Sequence, residues 1–256
     1  MRVATYERGR LRFWTDPFEI NVSNEFHFFT PSDSVQDVTL FAKYTLRADE
    51  MFLNRMIGGT FEGSNDPDFR EKEVLYLINE KPKRLQTVVQ SYSSKSYRYV
   101  RYIGPKDSHC NIAEAAFYTP NDTASLKGKV IGTPGCFQKD GSHEYTNVFD
   151  GDVTTSFDYI EPSGGWSGLD LGTPKQIGRI VYTPRSYDNY IRSGDDYELF
   201  YCARRNNWKS LGDQRSKADS LIYIKIPVNA LLLLCNNTRG IQERIFVYTA
   251  AEQIWK

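Results

Sequence analysis

The sequence predicts an all-β protein, organised as a sandwich or barrel, and three observations carry that prediction. Seventeen Tyr, fifteen Phe and four Trp make 14% of the 256 residues aromatic, and Tyr and Phe favour the pleated, half-buried surface of a strand. Short β-rich runs recur along the whole chain, separated by turn clusters such as Gly-Gly, Asn-Asp, Asp-Gly and Pro-Ser-Gly-Gly. No run sustains helical periodicity; 71–80 and 111–116 could each hold a turn of helix and no more.

Taken in order, the predicted strands of the first half are 38–44 (VTLFAKY), 75–78, 97–102 (YRYVRY) and 113–118. Those of the second half are 177–182, 197–202, 221–226, 231–235 and 244–248. Many short strands with turn punctuation indicate a sandwich or barrel. The segment 119–128 (TPNDTASLKG) is polar and aperiodic, and is the best linker. A boundary there predicts two domains, 1–122 and 123–256. The halves also look like weak repeats. The run 38–44 followed by Arg55 parallels 177–182 followed by Arg192, and Ile112-Ala113-Glu114 parallels Ile241-Gln242-Glu243. Residues 1–37 form a divergent front portion, part of which could be the tail of an upstream domain.

Composition narrows the function classes. Hydrophobic residues at 40% and charged residues at 25% fit a globular protein with its own core. Thirty-two basic residues balance thirty-two acidic ones, which argues against a dedicated nucleic-acid binder with its basic stripe. The longest apolar block, 230–235, is far too short to span a bilayer, so membrane insertion is not expected. The first residues lack the apolar core of a signal peptide. The abrupt strand-like start suggests the C-terminal piece of a larger exported protein, extracellular or at the cell surface, with its signal upstream or removed. Cys110, Cys136, Cys202 and Cys235 form neither a CxxC pair nor a zinc spacing. They could be thiols or one or two disulfides, and a Cys202–Cys235 bridge is one possibility.

The second half carries an ordered series of motifs: Phe149-Asp150-Gly151-Asp152-Val153-Thr154-Thr155-Ser156-Phe157, then Trp166-Ser167-Gly168-Leu169-Asp170-Leu171-Gly172. After these come the strand 177–185 ending in Arg185, and Arg192 through Tyr197 with Trp208 following. This series resembles the discoidin-like family, also called coagulation-factor type C, with its DGDxxTxW, WxxxDLG and R…YxVxxS…W segments. The first half shares only later pieces: 97–102 is similar to ARYVR, and 111–118 to IAEIxVY. The resemblance implies tandem jelly-roll sandwiches of the galactose-binding-like kind, non-catalytic and ligand-binding, from a bacterial surface protein. Within that pattern Arg192 is expected to pair inside the sandwich, and Trp166 and Trp208 to be core.

Asp150 and Asp152 flank a glycine, with Thr155 three positions on. A tight turn there can aim carboxylates and carbonyls at one centre, as a calcium ion with six to eight oxygen ligands requires. A distant carboxylate would help, and Glu243 is the candidate. The alternative is an ordinary Asp-Gly turn whose carboxylates bind backbone amides. The resemblance implies the metal set Asp150, Asp152, Thr155 and Glu243 in the second domain only, because no DGDxxT precedes residue 120.

Binding is expected on loops at one end, with the sheets as platform. The candidate loops are 136–142, 158–165, 185–192 and 236–240. Sugar recognition needs a flat apolar face and polar forks. Tyr187 or Tyr190 could supply the face, and Arg185, Asp188 or Asn189 the forks, with Asn236, Asn237 and Arg239 adding contacts. No catalytic pattern stands out. His27, His109 and His143 are scattered, and the His109–Cys110 pair lacks a nucleophile context. Three functions stay open: a glycan-binding or adhesive pair, a protein-interaction scaffold docking an upstream catalytic domain, and a hydrolase with two close carboxylates in a deep cleft.

Overall fold

The computed structural model describes residues 4–13, 15–43, 47–203, 207–240 and 244–256. The chain divides into two compact units, and the division is nested. One unit comprises Met1–Thr45 and Asn189–Lys256; the other is the intervening Leu46–Asp188.

The discontinuous unit opens with two hairpins, β1 (Ala4–Glu7) with β2 (Arg10–Phe13) and β3 (Phe18–Ile20) with β4 (Phe26–Phe28), followed by β5 (Val35–Leu40). The inserted unit then runs α1 (Arg47–Arg55), β6 (Thr60–Ser64), β7 (Lys72–Leu77), β8 (Thr87–Gln90), β9 (Ser96–Ile103), β10 (Ile112–Tyr118) and β11 (Lys129–Gly132). A 3₁₀ turn (Tyr145–Phe149), β12 (Trp166–Gln176) and β13 (Arg179–Pro184) complete it. The chain returns to the first unit with β14 (Asp196–Ala203), β15 (Asn207–Arg215), β16 (Leu221–Pro227), β17 (Leu232–Asn236), β18 (Ile245–Thr249) and β19 (Glu252–Trp255).

The inserted unit is a sandwich. A five-stranded antiparallel sheet, ordered β11-β12-β9-β6-β7, shares a core with a three-stranded one, ordered β10-β13-β8. Alternation explains the faces: on β10 Ala115 and Phe117 are buried while Glu114, Ala116 and Tyr118 are only partly so. Phe61 sits at the centre, against Tyr102 of its own sheet and Phe117 and Tyr182 of the other. On the opposite face of the large sheet Glu62 and Arg101 are cross-strand partners. Their carboxylate and guanidinium meet at 2.7 and 2.8 Å, and Lys72 reaches the other Glu62 oxygen at 2.9 Å. Phe69 and Trp166 cover the Arg101 guanidinium. Removing one member of so buried a pair would strand a charge, a loss of about 3–5 kcal/mol. β12 can lie this close to β9 because Gly168 has no side chain; a Cβ there would collide with the Val100 carbonyl.

The discontinuous unit pairs a five-stranded sheet, ordered β15-β14-β17-β18-β19, with the ribbon β16-β5, and Tyr197, Leu199, Leu232, Phe246, Val38, Leu221 and Tyr223 share its core. β16 alternates strictly until Lys225, whose positive φ of 58° makes a bulge; its N–H donates to Asp37. Residues on either side of the insertion meet: the Lys43 N–H donates to the Asn189 carbonyl at 2.6 Å, and Ala42 bridges to Tyr190.

The all-β class is present, and a strand overlaps each of the nine predicted runs, although β5 ends at Leu40 within 38–44 and Tyr44 lies outside the described residues. The predicted boundary at 122–123 is corrected: it falls inside the inserted unit, in a loop from β10 to β11. The physical reason is pairing, since β10 hydrogen-bonds β13 and β9 hydrogen-bonds β12, so that residues before and after 122 share both sheets. The tandem order is corrected for the same reason to an insertion. The helical turns considered at 71–80 and 111–116 give strands β7 and β10, and the α-helix among the described residues is α1, with Phe52 buried in it and Met56 buried just past its end. The Cys202–Cys235 bridge is not formed; both are thiols. In register Cys235 faces Glu198, four residues along β14 from Cys202, which sets them roughly 13 Å apart at strand spacing.

This division generates a test. A fragment of residues 46–188 is expected to melt cooperatively alone, followed by circular dichroism. A fragment of 123–256 is expected to lack a cooperative transition, because β11, β12 and β13 lose β9 and β10. Cooperative melting of 123–256 would return the boundary to the linker.

Candidate functional site

The candidate site is one end of the inserted sandwich, where loops around 109–111, 136–137, 158–159 and 185–187 converge. Asp158, 8% exposed, is its anchor. One carboxylate oxygen accepts from Arg185 Nη1, and the other from Asn111 Nδ2 at 2.6 Å. Asn111 Oδ1 in turn accepts from Arg55 Nη1 at 3.0 Å. The Arg185 guanidinium lies 4.4 Å over the Phe52 ring, and the Tyr187 ring stands 5.7 Å from Phe52. Tyr187 is 48% exposed. It is therefore half exposed while its ring packs beside Phe52. Beside it the chain turns at Asp188, φ 62°, with the Asp188 N–H donating to Ser186 Oγ.

On the neighbouring loops, His109 Nδ1 bonds the Tyr159 carbonyl at 2.9 Å and its ring meets Phe137 edge-on at 5.1 Å. Phe137 is 56% exposed. Cys110, next to His109, is buried, and that burial pushes its thiol far above the ordinary range. A nucleophilic cysteine needs the reverse shift, so the geometry gives the pair no nucleophile.

The structure divides the predicted ligand contacts. Arg185, Tyr187 and Asp188 are in the inserted unit, whereas Asn189, Tyr190, Asn236, Asn237 and Arg239 belong to the discontinuous one. Asn189 and Tyr190, each 3% exposed, are corrected from surface contacts to buried residues, because bridging to 42–43 draws them inward. Arg185 is corrected from an open fork to a clamped side chain, its charge engaged by Asp158. Asn236 folds its own turn: Oδ1 accepts the N–H groups of Thr238 and Arg239, and Nδ2 donates to Asp195. Arg239 Nε also reaches Asp195 at 2.7 Å. Burial raises the Asp195 carboxyl, but Arg239 and Asn236 outweigh it and hold the group below its usual range. Asn237 and Arg239 are both exposed.

The motif series divides as well. Residues 149–157, 166–172 and 177–185 lie in the inserted unit together with YRYVRY and IAEAAFY, whereas Arg192, Tyr197 and Trp208 lie in the other. Trp208 is 38% exposed on β15 and is not core. Trp166 covers Arg101 on the outer face of the large sheet. Asp170 of WxxxDLG holds Arg98 through both oxygens, at 2.8 and 3.0 Å, and Arg98 then the Gly172 amide lower its pKa.

The DGD loop closes on itself. Asp150 Oδ1 accepts the Asp152 N–H, its Oδ2 accepts Thr155 Oγ1 at 2.8 Å, and Asp152 Oδ1 accepts both groups of Thr154. Gly151, φ 85°, supplies the left-handed turn. Glu243 lies outside the described residues. The carboxylate that meets this loop is Glu114 of β10, whose Oε1 accepts the Gly151 N–H at 3.0 Å. Burial first, and the Asp150 carboxylate second, push Glu114 up to about 8. Among the described residues, no group of three or more His, Cys, Asp and Glu stands ready to hold a metal ion. The donors at the loop are nonetheless all oxygen, with one carboxyl at a raised pKa.

The predicted loops 136–142, 158–165 and 185–192 contain Phe137, Asp158, Arg185 and Tyr187, but the sequence singled out neither Phe137 nor Asp158, and gave no part to Asn111 or Phe52. The retrievable signal was Arg55, already marked as a repeat partner, while the role of Asp158 depends on strands far apart in sequence.

A raised carboxyl pKa has a definite consequence. The folded state binds a proton that the unfolded state has released, so stability falls as pH climbs from the ordinary glutamate range through about 8. In chelator, urea midpoints are expected to be lower at pH 9 than at pH 5, and Glu114→Gln to flatten that difference; an equal slope in the variant would contradict it. Compared with protein-family models, with curated proteins and with solved structures, the chain matches none.

Proposed function

We propose that this chain is a non-catalytic carbohydrate-binding or adhesive protein, part of a larger exported bacterial one acting outside the cell or at its surface. The single observation that carries the reading is Tyr187, half exposed and beside Phe52, a ring that the guanidinium of Arg185 also covers, with Arg185 locked by buried Asp158. A ring packed against a neighbour costs little ordering entropy when the face of a sugar stacks on it. Phe137 offers a second exposed ring and Asp188 a polar group beside the first. Loops on a rigid sandwich are the usual place for such recognition.

The discoidin-like reading draws support from the inserted unit, where the DGD loop, WSGLDLG, YRYVRY and IAEAAFY share one pair of antiparallel sheets. In our reading this unit is a galactose-binding-like jelly roll whose closing strands, β9 and β10, precede its opening motifs. Calcium fits the oxygen donors and the raised Glu114. Glu114, Asp150, Asp152 and Thr155 would hold it, and a bound cation would neutralise carboxylates otherwise set against each other. A second reading, a scaffold docking an upstream domain, is favoured by Ile222 and Ile224, exposed side by side on the outer face of β16.

Affinity electrophoresis against a panel of host and plant polysaccharides tests the first reading. At least one glycan is expected to retard the chain, and Tyr187→Ala to weaken that retention about tenfold with unchanged melting. No retardation of folded protein by any glycan would sink it. For calcium, chelator is expected to lower the melting temperature of the native chain but not of Asp150→Ala or Glu114→Gln. Melting indifferent to chelator would remove the metal.

A further inference from the structure

Three polar side chains are buried in the discontinuous unit, just past β5 and where the chain returns from the insertion. Lys43 is 2% exposed, Asn189 3% and Asp195 3%. Ala42 bridges to Tyr190 antiparallel, so Lys43 and Asn189 are the next pair, and the Lys43 N–H donates to the Asn189 carbonyl at 2.6 Å. Side chains of such a pair leave on one face, with Cβ atoms roughly 5 Å apart. A lysine stem spans that gap. Asp195 follows at a turn, its N–H donating to the Arg192 carbonyl at 3.3 Å. Burial works against its carboxylate, while Arg239, Asn236 and the charge of Lys43 hold it ionised.

A buried ion pair would account for Lys43 and Asp195. It does not account for Asn189, whose Oδ1 is buried and, among the described residues, meets no donor. Folded proteins rarely leave a buried acceptor so, and in a settled ion pair an ammonium with three donors, directly across, would bond it. The same arrangement suits a condensation. It holds a buried amine, the carbon of a carboxamide and a carboxylate to carry the proton.

We propose that Lys43 and Asn189 are joined by an amide bond that the chain forms on itself, with Asp195 carrying the proton. The Asp195 carboxylate takes a proton from the Lys43 ammonium. The freed lone pair forms a bond from Nζ to Asn189 Cγ, and the carbonyl π pair moves onto Oδ1. As that pair returns, the Cγ–Nδ2 bond breaks. One proton passes from Nζ to the departing nitrogen, and the proton on Asp195 leaves with it as ammonium. No oxidant or cofactor enters, and the lysine charge leaves the core. The tie joins the two ends of the insertion, so tension on the termini passes through the bond and not through residues 44–188. That property suits an adhesive chain, but the chemistry does not depend on glycan binding.

Intact-mass measurement of the folded full chain tests it. The mass is expected to fall about 17 Da below that of the sequence, one ammonia. A tryptic digest is expected to hold a branched peptide joining Lys43 to the segment 186–192. K43R and N189A are expected at full mass, melting at least about 5 °C below the native chain. In a time course of cell-free synthesis, D195E is expected to lose ammonia several-fold more slowly than the native chain. A native chain at full mass overturns the bond and leaves only an ion pair. A deficit without the branched peptide, or one that persists in K43R, overturns it as well. Equal rates in D195E and the native chain overturn the part given to Asp195.

Discussion

The pairing of β10 with β13 is the constraint on which the inserted sandwich depends. It joins residue 112 to residue 184 and, with a bulge at Ala113, sets the register of everything between. Through it Glu114 reaches the DGD loop, and Asn111, just before the strand, reaches Asp158 and, through it, Arg185. A one-residue slip would turn Ala115 and Phe117 outward and Glu114 into the core. The packing of Phe117 against Phe61 and Phe149 opposes that slip. The candidate loop site and the candidate cation loop are thus two outcomes of one strand pairing.

Charge is used differently in the two sheets of this unit. On the large sheet Glu62 and Arg101 form a covered pair, joined from the surface by the exposed Lys72, and the three satisfy one another. At the edge of the small sheet, Glu114 is set near Asp150 with burial against it. The first arrangement is content without any added component. The second is relieved by a proton or a cation, and this is why the loop, rather than the more heavily charged face, is where a metal is sought.

The strands were legible in the sequence because their signal is local: the aromatic and aliphatic runs 97–102, 113–118 or 221–226, set between turn clusters, read the same whatever those strands pair with. Which strands pair is not a local property. The polar run 119–128 has the composition of a linker and is in fact a loop between two strands of one sandwich, because composition reports exposure and not domain membership. The same gap divided the candidate site. Arg185 to Tyr190 looks like one loop, yet the chain passes from one unit to the other between Asp188 and Asn189, and burial falls on Asn189 and Tyr190. Tyr187 was identifiable as a ring in a polar loop; its contact with Phe52 was not, since α1 carries too short an apolar pattern to announce itself.

The hydrogen bond between Lys43 and Asn189 means that the chain leaves and re-enters the outer unit at one point. During synthesis β5 emerges well before β16, and for all that time its buried residues Val38 and Leu40 have no partner. Closing a loop of order 100 residues rather than a handful costs roughly 3 kcal/mol more in chain entropy. If the inserted sandwich folds first, that difference is largely removed, because its folded ends stand in for a short connection. The order of translation and the order of folding are then matched: the insertion matures as it appears, and the outer unit, holding both ends of this sequence, closes last.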